Sequence, residues 1–194
     1  MPEQWIEGDN RDIHLQPWER NDLELTINVP KAPSSLAKDY NVRIKANSRA
    51  QPAEEQGSID ASWTVSPFDQ LALEVTPSKA GARRHARYNV TIHNDSNHGT
   101  NCTLTASAEE KQLNLRLSKE GEKERSRIEL ELPQGNNGTK ATLKLSVNAT
   151  RRWIGSSVSH PIAVQAVAGE GKPPLNDEAE FVHKPVFATW MLAL

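Results

Sequence analysis

Apolar and polar residues alternate with a period of two along most of this chain. In residues 23–29, for example, four apolar side chains alternate with Glu24, Thr26 and Asn28. Successive side chains of a β-strand point to opposite faces of the sheet, so such runs predict half-buried strands. No segment shows a sustained helical period. The chain is therefore predicted to be all-β.

The number and spacing of these runs predict immunoglobulin-like antiparallel β-sandwiches in tandem. After Pro67, seven short runs separated by Asn-, Asp- and Gly-rich turns occupy about 100 residues, which is typical of one such sandwich. We assign this complete sandwich to residues 67–167. Residues 1–66 hold only four runs, at 13–15, 23–29, 38–47 and 58–65, so we predict a partial sandwich there. This first unit is either truncated at its amino end or completed by another chain.

The last part of the chain has a different composition. Residues 168–185 are rich in Gly, Pro and acidic side chains, which predicts a flexible linker. Residues 186–194 are nearly all apolar, with Trp190 inside the run and Lys184 before it, as at the entry of a membrane helix. Nine helical residues reach about 14 Å of the roughly 30 Å hydrocarbon core. We therefore predict the start of a truncated transmembrane helix; the alternative is an apolar tail docked on a domain.

Composition excludes several classes of function. The single cysteine of the 194 residues excludes an internal disulfide framework and a cysteine-cluster zinc site. Cys102 lies on the apolar side of its run and is predicted to be a buried, inert thiol. His93 and His98 flank a turn near Asp95, which makes a poor metal site. We expect no metal and no cofactor.

Charge is distributed unevenly along the chain. Residues 1–76 carry 7 basic and 13 acidic side chains, residues 77–165 carry 14 and 8, and residues 166–194 carry 2 and 4. The net charges of −6, +6 and −2 suit the middle segment to an anionic surface or to its acidic neighbour. The candidate ligand- or anion-binding residues are Arg83, Arg84, Arg87, Arg151, Arg152 and Trp153. The alternative is that these arginines are solvated hairpin ends.

Two further expectations concern ligands of other kinds. Trp153 can stack on a sugar or on an arginine. Nucleic acid is not expected as a partner, because stacking platforms need several exposed aromatic side chains. Five asparagines begin Asn-x-Ser/Thr triplets and are interpreted as outward polar positions of strands and turns: Asn89, Asn94, Asn101, Asn137 and Asn148.

Three motifs carry a family resemblance. They are Trp63-Thr-Val-Ser-Pro-Phe with Leu71-Ala-Leu-Glu-Val-Thr-Pro77, the aromatic strand Arg83-Arg-His-Ala-Arg-Tyr88-Asn-Val-Thr-Ile-His-Asn, and Arg151-Arg-Trp-Ile-Gly-Ser-Ser-Val-Ser-His-Pro161. The chain resembles tandem Ig-like repeats of bacterial membrane proteins, which are similar to the cell-adhesion-related bacterial domain and to the Ig-like domain accompanying α-galactosidases. Such repeats often precede a Pro-containing linker and a membrane helix, which Lys184-Pro-Val-Phe-Ala-Thr-Trp-Met-Leu resembles. The resemblance implies no catalytic residues.

These observations predict a non-enzymatic spacer or interaction module of a membrane-anchored bacterial protein. Glu109 and Glu110 are interpreted as a solvated turn rather than a catalytic pair, and no Gly-x-Ser-x-Gly motif occurs. We expect protein, glycan or an anionic surface at the cell envelope as partners, and an extracytoplasmic position, although an anchor at the carboxy end alone also allows the cytosolic face. The alternative function is an accessory carbohydrate-binding module of a secreted glycosidase, which an exposed aromatic platform would favour.

Overall fold

The computed structural model describes residues 3–7, 12–16, 18–48, 55–109, 112–169 and 171–188, and β-strands are their dominant regular structure. A single 3-10 turn, Glu3–Trp5, precedes the first strand. In chain order the strands are β1 (Ile6–Glu7), β2 (Thr26–Ile27), β3 (Asp39–Asn47), β4 (Glu55–Thr64), β5 (Leu71–Thr76), β6 (Lys79–Ala82), β7 (His85–Asn94), β8 (Thr100–Ala108), β9 (Leu113–Ser118), β10 (Arg127–Leu132), β11 (Thr139–Ala149), β12 (Ile154–Gly155), β13 (Val158–Ala168), β14 (Leu175–His183) and β15 (Phe187–Ala188).

Nine of these strands form a two-sheet sandwich. One sheet has the order β10-β8-β13-β14-β6 and the other has the order β5-β7-β11-β9. All neighbours are antiparallel except β14 and β6, which run parallel. Each of the seven runs predicted after Pro67 is a strand of this sandwich. The predicted all-β, immunoglobulin-like class is confirmed.

The core lies between the two sheets and is filled by the inward positions of the alternating strands. The strand β7, for example, buries every second residue from Ala86 to Asn94 and exposes or half-exposes those between. Tyr88 brings a polar group into this core, and its hydroxyl donates to the Glu180 carbonyl at 2.9 Å. The largest fully buried side chains come from both sheets: Tyr88, Phe181, Ile92, Leu104, Leu117, Leu132, Leu143, Leu145 and Ile162.

The linker predicted at residues 168–185 is wrong for residues 175–183, which form strand β14 inside the five-stranded sheet. Phe181 is fully buried in the core beside Ala179. Asp177 also occupies an inward position, opposite Val164 of β13. Its carboxylate accepts a hydrogen bond from the Val75 backbone N–H at 2.6 Å, which joins β14 to the edge of the other sheet. The acidic composition of this segment concealed a strand whose polar inward side chain has a backbone partner.

Phe181 offers a direct test of β14 as a core strand. We expect Phe181→Ala to lower the free energy of unfolding by about 3–5 kcal/mol, because it removes a fully buried aromatic side chain. The neighbouring Val182 faces outward and is half-buried, so Val182→Ala is the matched control and should cost less than about 1 kcal/mol. Chemical denaturation measures both. Equal, small losses for the two variants would mean that residues 175–183 are a linker after all.

The first part of the chain contains a long hairpin, formed by β3 and β4, at two of the four predicted runs. Asp39 pairs with Thr64 at its base, and the ladder continues to Asn47 and Glu55. One face of this hairpin is apolar and joins Tyr40 to Trp63 and Ile44 to Ile59.

The opposite face of the hairpin is polar. It carries Arg43 and Asp60, whose ion pair has N···O distances of 2.6 and 3.0 Å. The outward Arg43 guanidinium lowers the pKa of the Asp60 carboxyl. The two faces therefore differ sharply in chemistry, as period-two alternation predicts.

The other two runs of the first part differ from the prediction. Residues 13–15 form no strand, and only Thr26–Ile27 of the run 23–29 is a strand, pairing with β1. This small pair is tied to the base of the hairpin, because the buried Trp5 packs edge-on against Tyr40 with ring centroids 5.3 Å apart. The apolar alternation at 13–15 is not used in a sheet, and Ile13 and Leu15 are exposed.

The described end of the chain is extended rather than helical. Phe187 and Ala188 form β15, which pairs in parallel with Ile154 and Gly155 of β12. A helix beginning at residue 186 is therefore wrong at these two positions, and residues 189–194 of that prediction lie outside the described residues. Within the described ranges, no helix has the length and apolar character needed to cross a membrane.

Cys102 is buried in the core, with 3% of its surface exposed, as predicted. Burial raises the pKa of its thiol to about 11. At pH 8 the thiolate is then a minor species, and the sulfur is screened from reagents as well.

We expect native Cys102 to react with a thiol-specific chromogenic reagent only at the rate of unfolding. The variant Asn101→Cys places a second thiol on the exposed neighbouring position of β8 and supplies an internal control. At pH 8 it should show one fast and one slow thiol, and both should become fast in denaturant. Rapid labelling of both thiols in the native protein would contradict the buried position of Cys102.

Candidate functional site

Two basic segments that are far apart in sequence meet at one end of the sandwich. Arg83 and Arg84 lie in the turn between β6 and β7, and Arg151 and Arg152 lie between β11 and β12. The strands β7 and β11 are neighbours with His85 opposite Asn148, and the Ala149 N–H donates to the Arg84 carbonyl at 2.8 Å. The strand pairing therefore brings together five of the six predicted residues: Arg83, Arg84, Arg151, Arg152 and Trp153.

A third segment, following β14, completes this end of the sandwich. The Lys184 N–H donates to the Ala82 carbonyl at 2.9 Å, and the Val186 N–H donates to the Arg152 carbonyl at the same distance. The sequence prediction had placed both residues outside any folded unit. We call this surface the basic end and define its cations as Arg83, Arg84, Arg151, Arg152 and Lys184.

An exposed apolar patch adjoins these cations. Trp153 is 55% exposed, Ile154 50% and Phe187 45%. Ile154 and Phe187 are register partners of the β12–β15 pair, and the Phe187 N–H donates to the Trp153 carbonyl at 2.8 Å. The Arg151 guanidinium carbon lies 4.0 Å from the centroid of the Trp153 ring, which is a cation–π contact. We call Trp153, Ile154 and Phe187 the apolar patch.

Two glycines let cationic side chains lie directly on the backbone here. A Cβ at Gly155, where φ is +137°, would come within 2.9 Å of the Arg152 guanidinium. A Cβ at Gly81 would come within 2.8 Å of Lys184 Cε. Sequence analysis did not single out these glycines, whose close contacts depend on the folded backbone.

Beneath the basic end the core is closed by aromatic rings. His160, Phe181 and His183 are all buried, and neighbouring ring centroids are 5.7–6.2 Å apart. His183 Nε2 lies 3.1 Å from the Arg83 carbonyl. Rings and backbone together give the turn that carries Arg83 a rigid base.

Arg87, the sixth predicted residue, does not join the basic end. It points outward from β7 on the four-stranded sheet, where Ser146 separates it from Arg116 of β9. Lys140 and Lys144 of β11 share this face, so the outer face of the four-stranded sheet is basic.

The outer face of the five-stranded sheet has the opposite character. It carries four carboxylates together with Lys79 and Arg127: Glu129, Glu131, Glu178 and Glu180. Lys79 Nζ lies 2.7 Å from Glu180, and Lys79 and Ser159 lower the pKa of that carboxyl. A surface cleft of about 310 Å³ lies next to Glu178 and Glu180.

The opposite end of the sandwich holds the hairpin through a buried asparagine, Asn97, which is 1% exposed. Its Nδ2 donates to the carbonyls of Ser35 and Ser66, at 2.9 and 3.0 Å, on the two segments that flank the hairpin. Its Oδ1 accepts from the Phe68 N–H, and its carbonyl accepts from the Ala37 N–H. One side chain and its peptide therefore bind both legs of the hairpin.

Asn94 belongs to the same buried turn, so its interpretation as an outward position is wrong. Its Oδ1 accepts from the Ser96 N–H at 3.1 Å, and its Nδ2 lies within reach of the His98 and Leu132 carbonyls. The sequence predicts a turn between two strands here, as observed, but the turn is buried because the first part of the chain covers it. Asn89, Asn101 and Asn137 are exposed as predicted, and Asn148 is half-buried.

His93 and His98 flank this turn but have different surroundings. His93 lies on the outer face of the four-stranded sheet opposite Lys140, whereas His98 Nε2 lies 3.4 Å from Asp69. In the parts of the chain that the structure describes, no three His, Cys, Asp or Glu side chains are grouped to hold a metal ion.

Asn97 should control the orientation of the hairpin. Spin labels are attached at Ser62→Cys on the hairpin and at Thr142→Cys on the sandwich face, and the buried Cys102 stays unlabelled. Pulsed electron paramagnetic resonance should then give one narrow distribution of the distance between the two labels. Adding Asn97→Ala should broaden it and lower the free energy of unfolding by about 2 kcal/mol, because buried carbonyls and an N–H lose their partner. Asn101→Ala, at an exposed position, is the control and should change neither. A narrow distribution in the Asn97 variant would show that other contacts orient the hairpin.

Comparisons with known proteins give distant structural similarities. No protein-family model and no curated protein matches the sequence. The CooA pilin subunit from enterotoxigenic Escherichia coli is 9% identical, with a TM-score of 0.42 over 59% of this chain and 97% of that chain. A family 123 glycoside hydrolase from Clostridium perfringens is 9% identical, with a TM-score of 0.42 over 60% of this chain and 28% of that one.

A third similar structure is the CARDB domain of a Pyrococcus furiosus protein in complex with di-metal ions. It is 16% identical, with a TM-score of 0.35 over 59% of this chain and 90% of that chain. Similarities this distant transfer neither a function nor a site to the present chain. The Ig-like class implied by the family resemblance agrees with the sandwich, and membership of the particular repeat families stays a prediction.

Proposed function

We propose that this chain is a non-enzymatic spacer and interaction module of a membrane-anchored bacterial protein, displayed outside the cytoplasm. The observation that carries the proposal is that the two ends of the sandwich carry different elements. The hairpin is attached at the Asn97 end, and the described chain leaves from the basic end. The sandwich therefore separates a presented element from a point of attachment.

The separation follows from strand length. The strand β7 runs from His85 at the basic end to Asn94 beside Asn97, and ten residues of strand span about 30 Å. A continuous buried core of both sheets backs this distance, and close-packed cores resist deformation. The sandwich is thus suited to hold the hairpin at a fixed distance from a surface.

The hairpin supplies the surface for interaction. Ile59 is 63% exposed and Ile44 37%, and they are register partners on its apolar face. A two-stranded ribbon alone is marginally stable in water and gains from an added partner. We propose that the hairpin end receives the protein or glycan partner at the cell envelope.

A specific observation supports a second proposal, an accessory carbohydrate-binding module. Trp63 is 38% exposed on the hairpin and Trp153 55% at the basic end, and indole faces can stack on sugars. The two rings lie at opposite ends of the sandwich, so each would act alone rather than within one platform. Arg151 also covers one face of Trp153. We therefore place this function second.

Surface labelling of intact cells tests the proposed display. In cells that produce the protein, a membrane-impermeant amine reagent should label the exposed hairpin lysines, Lys38 and Lys45. The protein should stay in the membrane pellet after alkaline carbonate extraction if residues 186–194 begin an anchor.

An abundant cytosolic protein serves as the control and should be labelled only after lysis. Labelling of Lys38 and Lys45 only after lysis would contradict the extracytoplasmic position. Release by carbonate would contradict the anchor. Glycan-array binding that is lost in Trp153→Ala but kept in Trp63→Ala, or the reverse, would favour the carbohydrate-binding alternative.

A further inference from the structure

We propose that the basic end is a membrane-contact surface: it rests on an anionic lipid bilayer, with the apolar patch entering the headgroup region. The inference deepens the proposed function and rests on its membrane attachment. It adds a contact made by the folded sandwich itself: the five cations, Trp153 and Ile154 all lie outside the predicted anchor at residues 186–194, and only Phe187 belongs to both. The argument starts from the chemistry of the two groups of side chains that meet there.

The apolar patch and the cations have the composition of a membrane interface. Tryptophan and other large apolar side chains favour the headgroup boundary, and basic side chains favour anionic lipids. Trp153, Ile154 and Phe187 are each about half exposed, so a substantial apolar area stands in water. Five cations lie in the three segments that backbone hydrogen bonds join at this end, and Arg151 contacts the Trp153 ring directly.

The placement of carboxylates leaves this end basic. Glu129 and Glu131 lie on β10 opposite Thr103 and Asn101, toward the Asn97 end of the sandwich. Glu180 lies nearer the basic end, and its carboxylate is engaged by Lys79 and Ser159. Glu109 also lies at this end, because Ala108 pairs with Ile162 and Leu113 pairs with Ala149 on either side of its turn. The five cations therefore outnumber the carboxylates placed at the end that carries the apolar patch, which favours attraction to an anionic surface there.

The course of the chain points the same way. Phe187 and Ala188 are followed by Thr-Trp-Met-Leu-Ala-Leu, so the apolar C-terminal segment begins at the apolar patch. A bilayer that receives this segment would meet the basic end first. Contact at both places would fix the long direction of β7 relative to the membrane, which a single flexible tether would leave free.

Vesicle binding of the purified full chain tests the proposal. It should bind phosphatidylglycerol–phosphatidylcholine vesicles and not pure phosphatidylcholine vesicles, and binding should weaken with salt. The triple variant Arg83→Glu, Arg84→Glu and Arg151→Glu should bind about a hundredfold more weakly. The control Lys119→Glu, Lys140→Glu and Lys144→Glu has the same total charge and should bind like the native chain. Lys140 and Lys144 pair with His93 and Asn89, and Lys119 lies beside Lys140, so these lysines are away from the basic end.

Apolar substitutions separate a bilayer from a soluble polyanion. Trp153→Ser with Ile154→Ser should weaken vesicle binding about tenfold, because two exposed apolar side chains outside residues 186–194 no longer enter the headgroup boundary. The control Trp63→Ser with Ile59→Ser removes exposed apolar surface at the other end and should have no effect. Circular dichroism and the unfolding midpoint verify that each variant is folded.

Three results would overturn the proposal. Equal losses in the two charge variants would reduce the effect to total charge. A charge effect without an apolar effect would assign the basic end to a soluble polyanion, and unchanged binding in every variant would leave the C-terminal segment as the sole contact. Residues 186–194 are native in every variant, so failure of this proposal leaves the carbonate test of the anchor independent.

Discussion

The position of the hairpin depends on one buried amide, that of Asn97. Its Nδ2 donates to the Ser35 and Ser66 carbonyls. Its Oδ1 accepts from the Phe68 N–H, and its own carbonyl accepts from the Ala37 N–H. Both chain segments that flank the hairpin are therefore bonded to a single residue. In a low-dielectric site such hydrogen bonds are strong and an unpaired partner is costly, so the network favours one arrangement. The hairpin can thus project as a defined element although its own two strands form no sandwich within the described residues.

Most of the sandwich was predictable because its strands obey the period-two rule, and the exceptions have physical reasons. The inward positions of β14 include Asp177 and His183, which do not look apolar in sequence, yet the structure gives each a backbone partner in Val75 and Arg83. The strand β6, with two alanines and a glycine, has too little side chain to show a pattern. Alternation in the sequence detects strands whose inward side chains are apolar. It misses strands with inward polar side chains that form hydrogen bonds to the backbone of residues far away in the sequence.

Sequence analysis could identify most residues of the candidate site, but not that they lie together at one end of the sandwich. The arginines and Trp153 stood out by type, but their meeting depends on the register that sets His85 against Asn148, and no local pattern encodes a pairing between strands more than fifty residues apart. Lys184 and Phe187 were assigned to a linker and an anchor, so their part in the same end was missed. Arg87 was grouped with Arg83 and Arg84 by proximity in sequence, but strand geometry directs it to a sheet face.

The charge blocks of the sequence acquire a different meaning in three dimensions. Most of the basic side chains placed from the middle block lie at the basic end or on the outer face of the four-stranded sheet. Lys79 and Arg127 are exceptions, and they lie on the opposite face with Glu129, Glu131, Glu178 and Glu180. A sandwich with unlike faces and unlike ends has a preferred orientation in any anisotropic field. In the proposed membrane contact the basic end faces the anionic surface, and because β7 separates that end from Asn97 by about 30 Å, the hairpin points away from it. The strand arrangement of the sandwich therefore sets both its orientation on a surface and the distance of the hairpin from that surface.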